Sequence, residues 1–226
     1  MPRIFLIRSA LAALWALLSC LAPVPLTAAV AAEAGKAAAG PVLLVLGDSL
    51  SAEYGLPRGT GWVQLLADRL RDSGSDYRVV NASISGETTS GGRTRLPGLL
   101  EQHRPRVVVI ELGANDALRG LPLNLVKDNL NAMVRQSQAA GARVLVVGMR
   151  IPPNYGRDYT ERYVATYSEV ARERKAALVP LLVEGFAESF EYFQSDRIHP
   201  TAQAQPMMLE TVWRVLRPLL AERPKR

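Results

Sequence analysis

Five short apolar runs alternate with stretches in which apolar residues recur every three or four positions, and that alternation leaves the chain few ways to fold. Val42-Leu43-Leu44-Val45-Leu46, between Pro41 and Gly47, is apolar throughout, as in a strand buried on both faces. Residues 77–82, 107–112, 144–148 and 178–183 repeat the pattern. Between these runs, Val63, Leu66, Ala67 and Leu70 mark one helix face, and Val126, Leu130, Met133, Val134 and Ser137 mark another that ends at Gly141. Tyr159, Tyr163, Thr166, Tyr167 and Val170 keep the same spacing. Met208, Val212, Val215 and Leu219 predict a closing helix that starts near Gln203, with Pro206 in its first turn. Such alternation predicts an α/β fold, a parallel sheet with helices on both faces. Ligands of these sheets bind outside the carboxyl ends of the strands, where the strand order reverses. The 226 residues suffice for one such domain, and no internal repeat or second boundary is visible.

The N-terminus follows a different pattern. Arg3 and Arg8 precede an apolar stretch, residues 10–18, and Ala28-Ala29-Val30-Ala31-Ala32 offers Ala-x-Ala cleavage points. This predicts a signal peptide over residues 1–32, a flexible Ala/Gly-rich linker over 33–40, and a single folded domain over 41–226. The mature protein is then periplasmic or secreted. Pro23 and Pro25 cut the apolar run short of a membrane span, so no permanent transmembrane anchor is expected. Cys20, the only cysteine, leaves with the signal; Leu17-Leu18-Ser19-Cys20 also loosely matches a lipoprotein box, so lipid attachment through Cys20 is the alternative. The formal charge of +6 falls to +4 when Arg3 and Arg8 are removed, a mildly basic surface with no Lys/Arg run interleaved with aromatics. Nucleic acid is therefore not an expected partner. Two separated histidines and no mature cysteine leave few ligands for a metal, and no cofactor is expected. The chain is taken to act as a monomer.

The polar motifs fall where the fold rule wants them. Gly47-Asp48-Ser49-Leu50-Ser51 follows the first run, so Ser49 sits on a turn at the carboxyl edge, at the head of an expected helix. Either Ser49 is a nucleophile there, or Asp48 and Ser49 simply cap that helix. A nucleophilic serine needs a base. His103 precedes the third run, at a helix end on the opposite edge; His199, in Asp196-Arg197-Ile198-His199-Pro200, follows the fifth run and shares the edge of Ser49. Asp196 is close enough to accept the His199 Nδ1 proton, leaving Nε2 for Ser49. Alone, Asp196-x-x-His199 reads first as a capped turn before the last helix. Gly86, after the second run, can bring a backbone N–H close to a reacting carbonyl. The Asn115 amide, in Gly113-Ala114-Asn115-Asp116 after the third run, can donate from its side chain. A turn glycine and an Asx-turn asparagine are the plainer readings of each. Four such motifs on one edge favour catalysis over four separate coincidences.

These four blocks resemble those of the SGNH hydrolases, also called GDSL lipases/esterases: Ser49, Gly86, Asn115 and His199 each stand at a block position. The longer stretches 47–54, 80–87, 111–120 and 198–206 are similar to the bacterial periplasmic branch of multifunctional thioesterases, lysophospholipases and arylesterases. The likeness runs from about Pro41 to about Ala221. It departs at Glu53, where that branch often has glycine.

The resemblance implies a flavodoxin-like three-layer α/β/α sandwich with a five-stranded parallel sheet. It is not the α/β-hydrolase fold, since Ser49 lies in no Gly-x-Ser-x-Gly elbow. It further implies two-step hydrolysis of acyl esters or thioesters, lysophospholipid among them, with Ser49, Asp196 and His199 catalytic and Ser49 N–H, Gly86 N–H and Asn115 as oxyanion hole. Loops at residues 117–122 and 149–156 would border the acyl groove, with Leu118, Ile151 and Pro152 as its apolar wall. Two rival readings stay open here, an exported non-enzymatic binding module on the same fold and a deacetylase of acetylated glycans.

Overall fold

A computed structural model describes residues 40–221, so the signal peptide, linker and Cys20 expectations lie outside the described residues. The chain order is β1 (Val42–Gly47), α1 (Trp62–Asp72), β2 (Arg78–Asn81), α2 (Thr89–His103), β3 (Val107–Glu111), α3 (Ala114–Leu118), α4 (Leu123–Ala139), β4 (Arg143–Val147), α5 (Arg157–Arg174), β5 (Ala177–Val179) and α6 (Gln205–Ala221). The strands form one parallel sheet in the order β2-β1-β3-β4-β5. Alternate residues along each central strand face opposite layers. Leu43, Val45, Val107 and Val109 pack against α1 and α6, through Trp62, Leu66, Met208 and Val212. Leu44, Leu46, Val108 and Ile110 pack against α2, α4 and α5, through Leu96, Leu130, Met133 and Tyr167. β1 and β3 are buried along their whole length, which is why β1 and residues 107–110 of β3 are apolar without alternation, Glu111 at the β3 end being the exception.

This is the expected three-layer sandwich, with local differences that have physical causes. The last apolar run is strand only to Val179, because Pro180 has no N–H to continue the ladder. Val179 O and Gly148 O still accept from Gly148 N–H at 2.8 Å and Leu182 N–H at 2.9 Å, which steers the chain off the sheet. Ser49 heads no helix: residues 49–54 form successive turns, closed by Ala52 N–H on Asp48 O (3.0 Å) and Tyr54 N–H on Ser49 O (3.3 Å). The region expected as a loop at 117–122 begins inside α3. The closing helix starts at Gln205 after a 3₁₀ turn at Ala202–Ala204, close to the expected Gln203.

The order of strands fixes where a ligand can sit. From β1 the chain steps to β2 on one side, then crosses to β3 on the other, so the order reverses between β1 and β3. The segments leaving β1 and β3 at their carboxyl ends therefore splay apart into a crevice. Among the described residues, no helix is long and apolar enough to cross a membrane.

Candidate active site

At that crevice the β1 exit carries Ser49 and the turn before α6 carries His199. His199 Nε2 lies 2.9 Å from Ser49 Oγ, and His199 Nδ1 lies 2.7 Å from Asp196 Oδ2. The other carboxylate oxygen, Oδ1, accepts the N–H groups of Ile198 (2.9 Å) and His199 (3.0 Å), so Asp196 and the imidazole are held as one unit. Burial pushes the Asp196 carboxyl up, but those backbone donors and the His199 ring outweigh it, and the group ends below the ordinary carboxylate range. The turn itself is closed by Gln194 N–H on His199 O at 2.7 Å. Tyr54 lies over the imidazole, ring centroids 4.3 Å apart. His103 ends α2 at the other edge of the sheet, as expected.

The β3 exit supplies Asn115. Gly113 there has φ +124°, and a Cβ would stand 2.5 Å from Tyr167 Oη, so only glycine allows the turn into α3. Asn115 Nδ2 donates to Asp48 Oδ2 at 3.1 Å and to Glu87 O at 3.0 Å. Gly86, at φ +80°, is in the turn after β2, and its carbonyl accepts from Arg119 Nη2 at 3.1 Å. The Asn115–Glu87 and Arg119–Gly86 bonds tie the β2 exit to the β3 exit. α2 is tied to the same place, since Asp116 accepts Thr89 N–H at 2.8 Å and Thr89 Oγ1–H at 2.6 Å. Among the described residues, the N–H groups of Ser49 and Gly86 make no hydrogen bond.

Beside Ser49 and His199 lies a mainly apolar cavity of about 390 Å³. Leu118, Ile151 and Pro152, the residues that the resemblance puts on an acyl wall, are among those that line it. Val183, Phe190 and Phe193 add to its wall and were not expected there: Val183 ends a run that reads as strand, and Phe190 and Phe193 lie beyond it in a stretch without helical or strand periodicity. Glu53, the departure from the family pattern, does not enter the wall. Its carboxylate folds back to accept Gly59 N–H (3.0 and 3.1 Å) and Gly61 N–H (2.8 Å), which closes the loop before α1.

A buried acid pair underlies the nucleophile. Glu111 Oε2 accepts Ser51 Oγ–H at 2.8 Å and Asp48 N–H at 3.4 Å, and Asp48 Oδ1 accepts Leu50 N–H at 3.0 Å. Burial pushes Asp48 up to about 6, against the pull of Leu50 N–H, His199 and Asn115. Burial and the neighbouring Asp48 charge push Glu111 well above the carboxylate range. Sequence reasoning passed over Glu111, although a carboxyl inside the apolar run 107–112 was a signal that it needed a buried partner.

Comparison with known proteins agrees with this geometry. Esterase TesA of Pseudomonas aeruginosa is 50% identical over 201 residues, covering 89% of this chain and 96% of that protein. Thioesterase 1/protease 1/lysophospholipase L1 of Escherichia coli is 42% identical over 185 residues, covering 82% of this chain and 88% of that protein. A crystal structure of TesA superposes with a TM-score of 0.77 at 51% identity, covering 79% of this chain and 99% of the other. Residues 45–205 match the GDSL-like lipase/acylhydrolase family, and with a serine, a histidine and an aspartate in hydrogen-bonded series at the sheet's switch point, the chain belongs to that family of ester hydrolases.

Proposed function

We propose that the protein hydrolyses carboxylic acyl esters and thioesters through an acyl-enzyme on Ser49. The observation that carries this reading is the series Ser49 Oγ–His199 Nε2 (2.9 Å) and His199 Nδ1–Asp196 Oδ2 (2.7 Å). Ser49 Oγ attacks the acyl carbon as His199 Nε2 takes its proton, and Asp196 holds the imidazolium that forms. The carbonyl oxygen becomes an anion and takes hydrogen bonds from the unpartnered N–H groups of Ser49 and Gly86. Asn115 is held in direction by Glu87 O, and its second amide hydrogen turns from Asp48 to that oxygen. His199 then gives its proton to the departing alkoxide or thiolate. A water, deprotonated by His199, attacks the acyl carbon and releases the acid and Ser49. The apolar cavity suits fatty acyl or aryl groups, with Leu118, Ile151 and Pro152 on its wall.

Ser49→Ala tests this directly. On a panel of p-nitrophenyl acetate, a long-chain p-nitrophenyl ester, an acyl-CoA, a lysophospholipid and acetylated xylan, it should lose about 10³-fold or more in kcat with an unchanged melting temperature. Activity within about tenfold of wild type would remove Ser49 from the nucleophile role. Acetylated xylan as the preferred substrate would replace the fatty-acyl reading by glycan deacetylation.

The protein is further proposed to be exported and monomeric, with residues 1–32 removed as a signal peptide and 33–40 left as a linker ahead of the 41–226 domain. The basis is the sequence pattern of Arg3, Arg8, the apolar run and the alanine cluster. Mass spectrometry of the envelope fraction of a bacterial host should give a start near Ala32. A diacylated start at Cys20 would make the protein a lipoprotein instead.

A further inference from the structure

The cavity beside Ser49 carries few formal charges, and all but one of them are already engaged. Arg150 donates from Nη2 to Ala187 O at 3.1 Å and pairs with Glu188 Oε1 at 2.6 Å. Asp48 is buried beneath the nucleophile and takes bonds from Leu50 N–H and the Asn115 amide. Asp196, behind His199 and outside the lining, has its carboxylate occupied by the imidazole and two backbone donors. Arg197 also lines the cavity, two residues from the catalytic-series histidine, and among the described residues its guanidinium has no acidic partner.

Arg197 is nevertheless held in place. Its N–H donates to Gln194 O at 2.9 Å, inside the turn closed by Gln194 N–H on His199 O. Its φ of +59° lies in the left-handed region, where glycine is unstrained and a long side chain is not. Residues kept in that region cluster at ligand-binding sites, where the surrounding structure over-determines them. The guanidinium lies over Phe190, 5.0 Å from the ring centroid, and Phe190 is 65% exposed. A ring beneath the guanidinium restrains where the charge sits without using its N–H donors, which suits binding of a phosphate or carboxylate.

We propose that Arg197, seated on Phe190 at the mouth of the acyl cavity, is a specificity-determining residue that binds an anionic oxygen group, a phosphate or phosphodiester, in the alcohol or thiol part of the substrate. This rests on the ester-hydrolase reading above and names the substrate class within it. The acyl chain enters the apolar cavity, the scissile carbonyl meets Ser49, and the leaving part extends past His199 toward Arg197. Two sources share this chemistry, a lysophospholipid headgroup and the phosphates of a nucleotide-bearing thioester.

The experiment compares matched pairs. One pair is 1-palmitoyl-glycerol 3-phosphate against 1-monopalmitoylglycerol; the other is palmitoyl-CoA against the uncharged palmitoyl thioester of N-acetylcysteamine. Arg197→Gly, which relieves the backbone strain, should lower the charged-to-neutral ratio of kcat/KM by tenfold or more in at least one pair, and Arg197→Lys should restore part of it. The pair that responds identifies the source of the phosphate. A readout free of catalysis uses the Ser49→Ala protein: 1-O-hexadecyl-glycerol 3-phosphate should bind at least fivefold more weakly when Arg197→Gly is added. Ratios unchanged in both pairs, or unchanged binding of the ether phosphate, would overturn the assignment of Arg197. No hydrolysis of any of the four by wild type would instead overturn the fatty-acyl reading of the proposed function, and the ether-phosphate binding would still decide on Arg197.

Discussion

Asn115 is the residue at which catalysis and simple structure part company. In the free protein its amide is satisfied by Asp48 Oδ2 and Glu87 O, so as a turn residue its loss would cost about 1 kcal/mol of stability and leave turnover intact. As an oxyanion donor its removal should lower kcat by roughly 10²–10³-fold with KM nearly unchanged. Asn115→Ala, assayed on a p-nitrophenyl ester beside its melting curve, separates the two; normal kcat with a lowered melting temperature would end the oxyanion role. Asp48→Asn refines the point, because it turns an acceptor facing Asn115 Nδ2 into an amide and so misdirects the donor. It should lower kcat alone but add little to Asn115→Ala in the double variant, as expected of groups acting through one another. At this scale the sequence was informative where a residue type stands in a short motif. Ser49, Gly86, Asn115, Asp196 and His199 were all named from four blocks, and the structure brings Ser49, His199 and Asp196 into contact across 150 positions of chain. Tyr54, Glu111, Phe190 and Arg197 were not singled out, because what makes them notable is a neighbour distant in sequence or a backbone angle, and neither leaves a periodic trace.

Among elements, the buried strands and amphipathic helices were legible because burial on two faces or one imposes a period on the sequence. The connections were less so. The run at 178–183 reads as one strand, yet Pro180 ends it, and residues 49–54 read as a helix start but close a series of turns. Both outcomes depend on which backbone donors find acceptors, which apolar content does not report. The joint between β3 and α3 shows how tightly such a connection is set. Gly113 is pressed against Tyr167 Oη, itself fixed by Leu112 O at 3.0 Å and Tyr163 Oη at 2.6 Å. Gly113→Ala therefore meets both a disallowed φ and a hydroxyl that cannot withdraw. It should destabilise the fold by about 1–3 kcal/mol, read as a melting temperature lower by several degrees. Because Asn115 is two residues on, kcat should fall as well. A variant with wild-type stability would show that the turn has another conformation within reach.

For the molecule as a whole, the sheet order brings the β1 and β3 exits together, and the same switch point buries Asp48 and Glu111 side by side beneath the nucleophile. Membership of an acylhydrolase family removes the non-enzymatic reading, but it says nothing of what this pair does to stability. Asp48 titrates at about 6 in the fold against 3.8 for its ordinary value, so between those values the folded protein binds more protons than the unfolded chain. Stability then falls as pH rises from 4 to 6, since the slope follows the unfolded-minus-folded proton count, which is negative there. Glu111, raised by burial and by the neighbouring Asp48 charge, adds a decline of the same sign as pH rises above its ordinary range. Asp196, lowered in the fold, acts in the opposite sense, and its contribution is lost only as pH falls below its ordinary 3.8. The acid pair thus opposes the common pattern in which carboxylates stabilise toward neutrality. Urea midpoints at pH 4.5, 6 and 7.5 should decrease in that order for wild type. Glu111→Gln keeps a side chain of the same shape, able to donate to Asp48 and accept from Ser51, while removing one titrating proton, so its midpoints should fall less steeply. Wild-type midpoints that rise across this range would mean that the two carboxyls are ionised in the fold at little cost, and that water reaches the floor of the site.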